Sequence, residues 1–552
     1  IQFNYKYIDK ESDNTYNLIP AEYDKCVAMA KLTKYLWIDS YNELLGETFI
    51  KTYCPRMIQL IGSKAYNSQG SVVLGTAEGG LKITLYNVNE LDVNNPNIDF
   101  LNTWFFKTMH HEFAHILHQT KNYSTDFNLI STDYQGPSWS NLESDEIANT
   151  MGFITRYASF SPDEDFVEII SNYITHDADY WENVLNNGGA LGKIKLQKKF
   201  DIVRKYLKDS WGIDIDKLRD IVQRRSGSLS EFSMKLIHYI LSILATGLLF
   251  SCAPKIDPIF DDTSANRIEE EIETVQEILL SSPNGWLMEY YPSSTQSYGG
   301  FNVLLNFQPG YRVTVASETA GADKTAVSTY TLKQSAGCVL SFDTYNEILH
   351  FFSDPSNNQG MGEGYGLEGD FEFTILQADE QIIRLKGKKS GSYMTMTPMS
   401  TGLKWSDYLK DIKQKDKEFS EYYRLLYQDE EQSLETRLTG HTLCIYRKKG
   451  EETITEYQPF IITLTGCKFY QPVQLGNNVI EGLILNPDLG EDGTFIPSND
   501  ATGTFIPTYP SVNEMLFSRN WFFTYSGFSP YGQALWDISR EALEANNDDI
   551  TY

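Results

Sequence analysis

A chain of 552 residues is too long for a single core and calls for roughly two to four domains. Its formal charge of −28 repels phosphate backbones and no basic stripe relieves it, which excludes nucleic acid as a partner. A hydrophobic fraction of 41% with 13% aromatics excludes a disordered chain, and six scattered cysteines without a CxxC pair exclude a disulfide framework and a thiolate zinc site.

The chain starts at Ile1 without Met or an export signal, as expected of a truncated start. Residues 80–86 (GLKITLY) alternate in polarity and predict a strand, on the residues alone an ordinary sheet strand, with an edge on which an extended substrate would pair as the alternative. Residues 104–118 (WFFKTMHHEFAHILH) lack Gly and Pro and repeat apolar side chains at helical spacing. One turn apart on that helix, His111 and His115 present imidazoles on one side, and Glu112 sits beside them to accept a proton from water on the metal. Four of the eight histidines of the chain lie in this one segment. His118 is too far along a straight helix to reach the same ion and reads as a substrate-side or packing residue, while His110 reads as structural.

Catalytic zinc takes three protein ligands and leaves one position open, so a third donor must come from elsewhere. Residues 157–168 (YASFSPDEDFVE) supply candidates. Ser161 suits an N-cap and Pro162 a first helical position, which places Glu164 and Glu168 one turn apart on one face. Glu164 is the preferred ligand, with Glu168 accepting from the second nitrogen of a ligand histidine; the reverse assignment stays open.

HEFAH followed by Tyr157, Glu164 and Glu168 resembles the gluzincin pattern, in particular the peptidase domain of anthrax lethal factor-type enzymes. That resemblance implies that Tyr157, seven residues before Glu164, assists the oxyanion. Residues 1–226 further resemble zinc-binding metallopeptidase lipoproteins of gut Bacteroidetes, including the IGS, GTAEGG and EDFVE segments that begin at Ile61, Gly75 and Glu164. The resemblance implies an α+β zincin-like domain, a zinc cofactor, and hydrolysis of a peptide or protein substrate by a metal-activated water.

Residues 227–252 read as a junction containing an internal lipoprotein signal. Met234-Lys235 is followed by an apolar run ending at Leu249-Phe250-Ser251-Cys252, the order of a bacterial lipoprotein signal, and its position inside the chain, starting with its own Met, suggests that two reading frames have been joined. Acylation of Cys252 would hold the rest of the chain at a membrane, placing the protein in the periplasm or on the outer membrane or cell surface of a Gram-negative bacterium. Residues 253–282 read as a tether and a helix, the helix covering 267–280. From 283 to 552 short alternating segments such as 300–307 and 370–375 predict a mainly antiparallel β domain, a sandwich or barrel. This half resembles a Bacteroidetes lipoprotein family of uncharacterised function, on Asn284-Gly285-Trp286 and residues 341–346 (SFDTYN). It carries no catalytic motif, His350 reads as a core residue beside Phe351 and Phe352, and a glycan is the candidate ligand. The competing expectation for the whole chain is a non-catalytic lipoprotein binding surface glycans or proteins, with a structural or degenerate zinc site.

Overall fold

The computed structural model describes residues 1–6, 18–66, 72–73, 75–78, 81–229, 264–335, 337–357, 359–360, 364–450, 452–490, 492–509, 533 and 536–537. The signal-like segment ending at Cys252, the tether as far as residue 263 and residues 510–552 apart from 533, 536 and 537 lie outside them. Two compact units are present, one comprising Ile1–Lys417, Gly440–Thr442 and Pro459–Tyr470, the other Glu418–Thr439, Leu443–Gln458 and Gln471–Tyr552. No helix among the described residues is long and apolar enough to cross a membrane.

The first 229 residues combine helices with a small mixed sheet. Its strands are β1 (Gln2–Asn4), β2 (Met57–Leu60), β5 (Gly75–Glu78) and β6 (Lys82–Leu85), while the short β3 (Ala65–Tyr66) and β4 (Val72–Val73) form a separate two-stranded sheet. The sheet runs β1-β2-β6-β5, with β1, β2 and β6 parallel and β5 antiparallel to β6. All four residues of β6 are buried, as in a strand covered on both faces. Residues 80–86 thus supply an ordinary sheet strand rather than the edge: among the described residues β6 lies between β2 and β5, and the edge is β5, in the GTAE stretch just before it. The alternation that suggests a half-exposed strand comes from Lys82 and Thr84, whose side chains are buried too.

Next comes an unbroken helical run. Asn97 caps it by accepting from Phe100 N at 3.0 Å, and it passes from Ile98–Leu101 through a π-helical turn, Asn102–Phe106, into Lys107–Thr120, the histidine helix. The face of the histidine helix bearing Phe113 is wedged into an aromatic core, with ring centroids 5.4 Å from Trp37, 5.3 Å from Tyr41 and 6.1 Å from Phe49. Such edge-on packing fixes the roll of the helix, and thus where the histidines opposite can point. Gly75 of β5 also matters here, because a Cβ at that position would stand 2.4 Å from Thr108 Cγ2. Only glycine lets the edge strand lie so close to the histidine helix.

The second essential helix is Pro162–Thr175, the glutamate helix. Ser161 caps it as the sequence predicts, accepting from Glu164 N at 3.3 Å, with Pro162 in the first turn. Phe166, Val167, Ile169 and Ile174 are almost fully buried, so this helix is covered on several sides. Outside it runs the long helix Gly189–Trp211, which sends Lys199 inward. Lys199 Nζ meets Asp165 Oδ2 at 2.5 Å and Gly152 O at 2.7 Å, and neither Lys199 nor Asp165 is exposed.

The helix Ser264–Ser281 and a nine-stranded sheet come after these. The strands are β7 (Trp286–Tyr290), β8 (Phe301–Gln308), β9 (Arg312–Ser317), β10 (Ala326–Thr329), β11 (Thr331–Ser335), β12 (Gly337–Ser341), β13 (Glu372–Ala378), β14 (Ile383–Gly387) and β15 (Tyr393–Pro398). They are ordered β10-β9-β8-β7-β15-β14-β13-β12-β11, every pairing antiparallel. Trp286 of β7 donates from Nε1 to Leu279 O at 3.0 Å, tying the helix to the sheet. Eight further strands close a barrel: β16 (Arg424–Gln428), β17 (Ser433–Thr439), β18 (Thr442–Lys449), β19 (Glu452–Ile462), β20 (Gly466–Leu475), β21 (Asn478–Asn486), β22 (Thr494–Pro497) and β23 (Thr504–Pro507). Leu425, Tyr427, Leu443, Ile445, Leu483, Phe495 and Phe505 are buried on these strands. The later half is thus antiparallel β as expected, in an open sheet and a closed barrel. His350 is fully buried, its Nδ1 accepting from Asn346 N at 3.0 Å, and burial lowers its pKa to about 4.

These buried charges and rings set the stability. Lys199→Met, which strands the Asp165 charge, should destabilise the first part by about 3–5 kcal/mol, and adding Asp165→Leu should recover much of that loss, as measured by urea denaturation. Because the folded His350 pKa lies below its ordinary value of 6.5, the stability it contributes is present above that value and is lost as pH falls through about 4. Denaturation curves taken stepwise across that interval should show a weaker pH dependence for His350→Leu than for the parent chain.

Candidate metal centre

The histidine helix and the glutamate helix pack against each other and bring three donors together. Glu164 Oε2 lies 3.0 Å from His111 Nε2 and 3.4 Å from His115 Nε2. Bonds of about 2.0–2.1 Å in tetrahedral array separate neighbouring donors by about 3.3 Å, so the spacing suits zinc. Glu164 Oε2 is also buried without an aligned hydrogen bond, a costly condition for a carboxylate that a cation among the three donors would relieve. Two imidazoles and one carboxylate form the donor set of an open zinc site.

The two glutamates have different surroundings. Glu164 points its Oε2 between the two Nε2 atoms, whereas Glu168 Oε1 faces His111 Nδ1 at 3.0 Å. The other oxygen of Glu168 accepts from Thr155 Oγ1 at 2.6 Å and Asn172 Nδ2 at 3.2 Å, and Lys107 Nζ stands 3.1 Å away. Burial by itself would raise the Glu168 pKa, but Lys107, His111 and Thr155 hold it well below the usual carboxylate range. Glu164 is likewise lowered to about 2, against burial, by its contacts with the two histidines. Burial would lower His111, yet the carboxylates on both sides raise it to about 9. A field that retains a proton so firmly is one that favours a dication.

Glu112 follows His111 in the helix and is half-buried; desolvation raises its pKa, opposed by His111 and His115 and reinforced by Glu164. Tyr157 stands across the site, its ring centroid 6.1 Å from that of His111, and burial followed by the charge of Glu164 raises its pKa. The segment carrying it is pinned at several points. Asn149 donates to Phe153 O and Ile154 O, Arg156 N donates to Asp145 Oδ1 at 2.7 Å, and Trp139 packs edge-on against the Tyr157 ring. His110 turns away, its Nδ1 3.0 Å from the Tyr41 hydroxyl, and burial lowers its pKa to about 3. His118 contacts His115 instead, Nε2 to Nδ1 at 2.9 Å.

Of the residues singled out from sequence, His111, Glu112, His115, Tyr157, Glu164 and Glu168 all fall within this one region, and Cys252 lies outside the described residues. Lys107, Thr155 and Asn172 are site residues that the sequence reading misses. Lys107 precedes His111 by one turn and Asn172 follows Glu168 by one turn, so helical spacing carried a signal for both. Thr155 sits in an irregular segment where no periodicity applies.

A histidine helix bearing HExxH, a glutamate helix completing the donor set and a mixed sheet with an antiparallel edge define a metallopeptidase-like fold of the zincin kind. Residues 1–216 match the family described as "Putative zinc-binding metallo-peptidase", and the chain belongs to that family through this part. Residues 256–487 match a second family, described as "Domain of unknown function (DUF4302)". Among solved structures, a protein of the same zinc-binding metallo-peptidase description from Bacteroides caccae is 42% identical, covering 42% of this chain and 87% of its own, with a TM-score of 0.37. No curated protein matches the chain.

The chain should bind one zinc ion, measured by elemental analysis after gel filtration. Glu168→Gln, which keeps the shape but removes the charge behind His111, should weaken zinc binding about 10–100-fold in chelator competition.

Proposed function

We propose that the first part of the chain is a zinc-dependent peptidase. The observation that carries this reading is the convergence of His111, His115 and Glu164, their ligand atoms all within 4.8 Å of one another, with Glu112 adjoining. When bound there, zinc supplies Lewis-acid polarisation of a peptide carbonyl and of water.

The protein's own groups account for the rest. Glu112, its pKa raised by desolvation, takes a proton from the attacking water and returns it to the leaving amine. Tyr157 stays protonated across the neutral range, because burial and nearby carboxylates raise its pKa, and its hydroxyl donates to the oxyanion as charge develops there. Backbone groups on the outer side of β5 offer an extended peptide a strand to pair with, directing its scissile bond along the histidine helix. The close approach of Gly75 to Thr108 keeps that strand against the helix.

We further propose that the peptidase is joined to an exported lipoprotein module anchored through Cys252. Support comes from the order of residues in 234–252, a basic start followed by an apolar run and cysteine.

Cleavage of an unfolded protein substrate tests the enzyme. Glu112→Ala should retain zinc and lose at least about 100-fold in kcat, and Tyr157→Phe should lower kcat with little change in KM. A parent chain that binds zinc but cleaves nothing across broad peptide libraries would sink the peptidase reading in favour of a non-catalytic metal site.

A further inference from the structure

His111 and His115 are alike as donors but are held from behind in different ways. Behind His111 stands the Glu168 carboxylate, 3.0 Å from Nδ1. Behind His115 stands another imidazole, with His118 Nε2 2.9 Å from His115 Nδ1. A neutral imidazole carries one N–H and one lone pair, and the tautomer decides which nitrogen has which. His115 can offer its Nε2 lone pair toward Glu164 and His111 only when its proton is on Nδ1. The contact with His118 must then run from His115 Nδ1–H to a lone pair on His118 Nε2, since two hydrogens would collide in the same gap.

We propose that His118 is the positioning residue of His115: it accepts from His115 Nδ1–H, fixes its tautomer and aims its Nε2 at the metal centre. The inference rests on the zinc reading of that centre. His118 is not itself among the converging donors, and its Nε2 faces the back of His115. The surrounding packing suits an aiming role. His118 is 6% exposed, with ring centroids 5.6 Å from Tyr123 and 6.2 Å from Phe166. Tyr123 is itself stacked on Phe166 at 4.0 Å, and its hydroxyl donates to Asp163 Oδ1 at 2.6 Å. The imidazole is thus clamped by a pair of rings anchored at the start of the glutamate helix, so one fixed body orients His115 and carries Glu164.

The chemical consequence is an asymmetric pair. Glu168 brings negative charge to His111, while a neutral imidazole orients His115 without adding a fourth carboxylate beside Glu112, Glu164 and Glu168. The ring contacts of His118 agree with the packing role expected from sequence, and the polar contact to His115 adds the positioning role.

The test compares the full chain with His118→Gln and His118→Phe, reading zinc affinity by chelator competition and the visible absorption of the cobalt(II)-substituted protein. Glutamine places an acceptor oxygen near the position of Nε2, whereas phenylalanine keeps a ring against Tyr123 and Phe166 but offers no lone pair. The expected result is a zinc affinity about 10–100-fold weaker for His118→Phe, with a changed cobalt spectrum, and recovery of most of the affinity in His118→Gln. Equal affinity for His118→Phe and parent, or equal losses for both variants, would overturn the proposal. Should His118→Phe fail to fold, His118→Asn replaces it: its amide is too short to reach His115 Nδ1, and zinc binding as tight as in His118→Gln would count against the idea. A parent chain without zinc affinity overturns this proposal and the metal reading together. One that binds zinc without cleaving peptides removes only the peptidase reading and leaves the comparison valid.

Discussion

Burying a carboxylate between two apolar helices costs several kcal/mol unless its charge and lone pairs are all met, and Glu168 is 2% exposed in such a place. Its two oxygens face His111, Thr155, Asn172 and Lys107, drawn from the histidine helix, the glutamate helix and the segment between Gly152 and Ser161. The arrangement fixes the distance and register between the two helices, because a shift of one turn would strand the charge. Everything else at the centre depends on that register. Glu164, one turn before Glu168, is carried to the point between the two Nε2 atoms, and the segment holding Thr155 also brings Tyr157 over His111.

A second buried pair supports the first. Lys199 reaches Asp165, which lies between Glu164 and Glu168 in sequence but faces the other way, toward the long helix Gly189–Trp211. Its ammonium also holds Gly152 O, at the start of the segment that carries Thr155 and Tyr157. The glutamate helix is thus gripped from both sides by ion pairs rather than by apolar contact alone. Such pairs add less stability than well-packed hydrocarbon of the same volume, but they tolerate only one arrangement. A metal site, whose donors must converge within a few tenths of an ångström, gains from that intolerance.

On the other side, the histidine helix is held by shape. Phe113 sits among Trp37, Tyr41 and Phe49, and Tyr41 also meets His110. Each histidine of the run therefore has its own environment: His110 in the core, His111 between two glutamates, His115 beside Glu164, and His118 behind His115. The π-helical turn at Asn102–Phe106 precedes this stretch, a widening of the helix often found next to functional sites.

The sequence by itself determined the local facts. HEFAH on a segment without Gly or Pro places His111 and His115 on one helix face, Ser161-Pro162 starts a second helix at the right point, and alternating segments after residue 283 form antiparallel strands. Helical and strand periodicity specify which residues share a face within an element, and for that reason these features are legible. Only the tertiary structure decided which faces meet. Glu164 and Glu168 share a helix face and look alike in sequence, and their separate surroundings arise from how the two helices cross. Among the described residues the edge strand is β5, one strand before residues 80–86, because polarity along a strand reports which faces are covered and not which strands pair beside it. Thr155, Lys107 and the partnership of His118 with His115 depend on contacts between side chains whose positions are settled by packing.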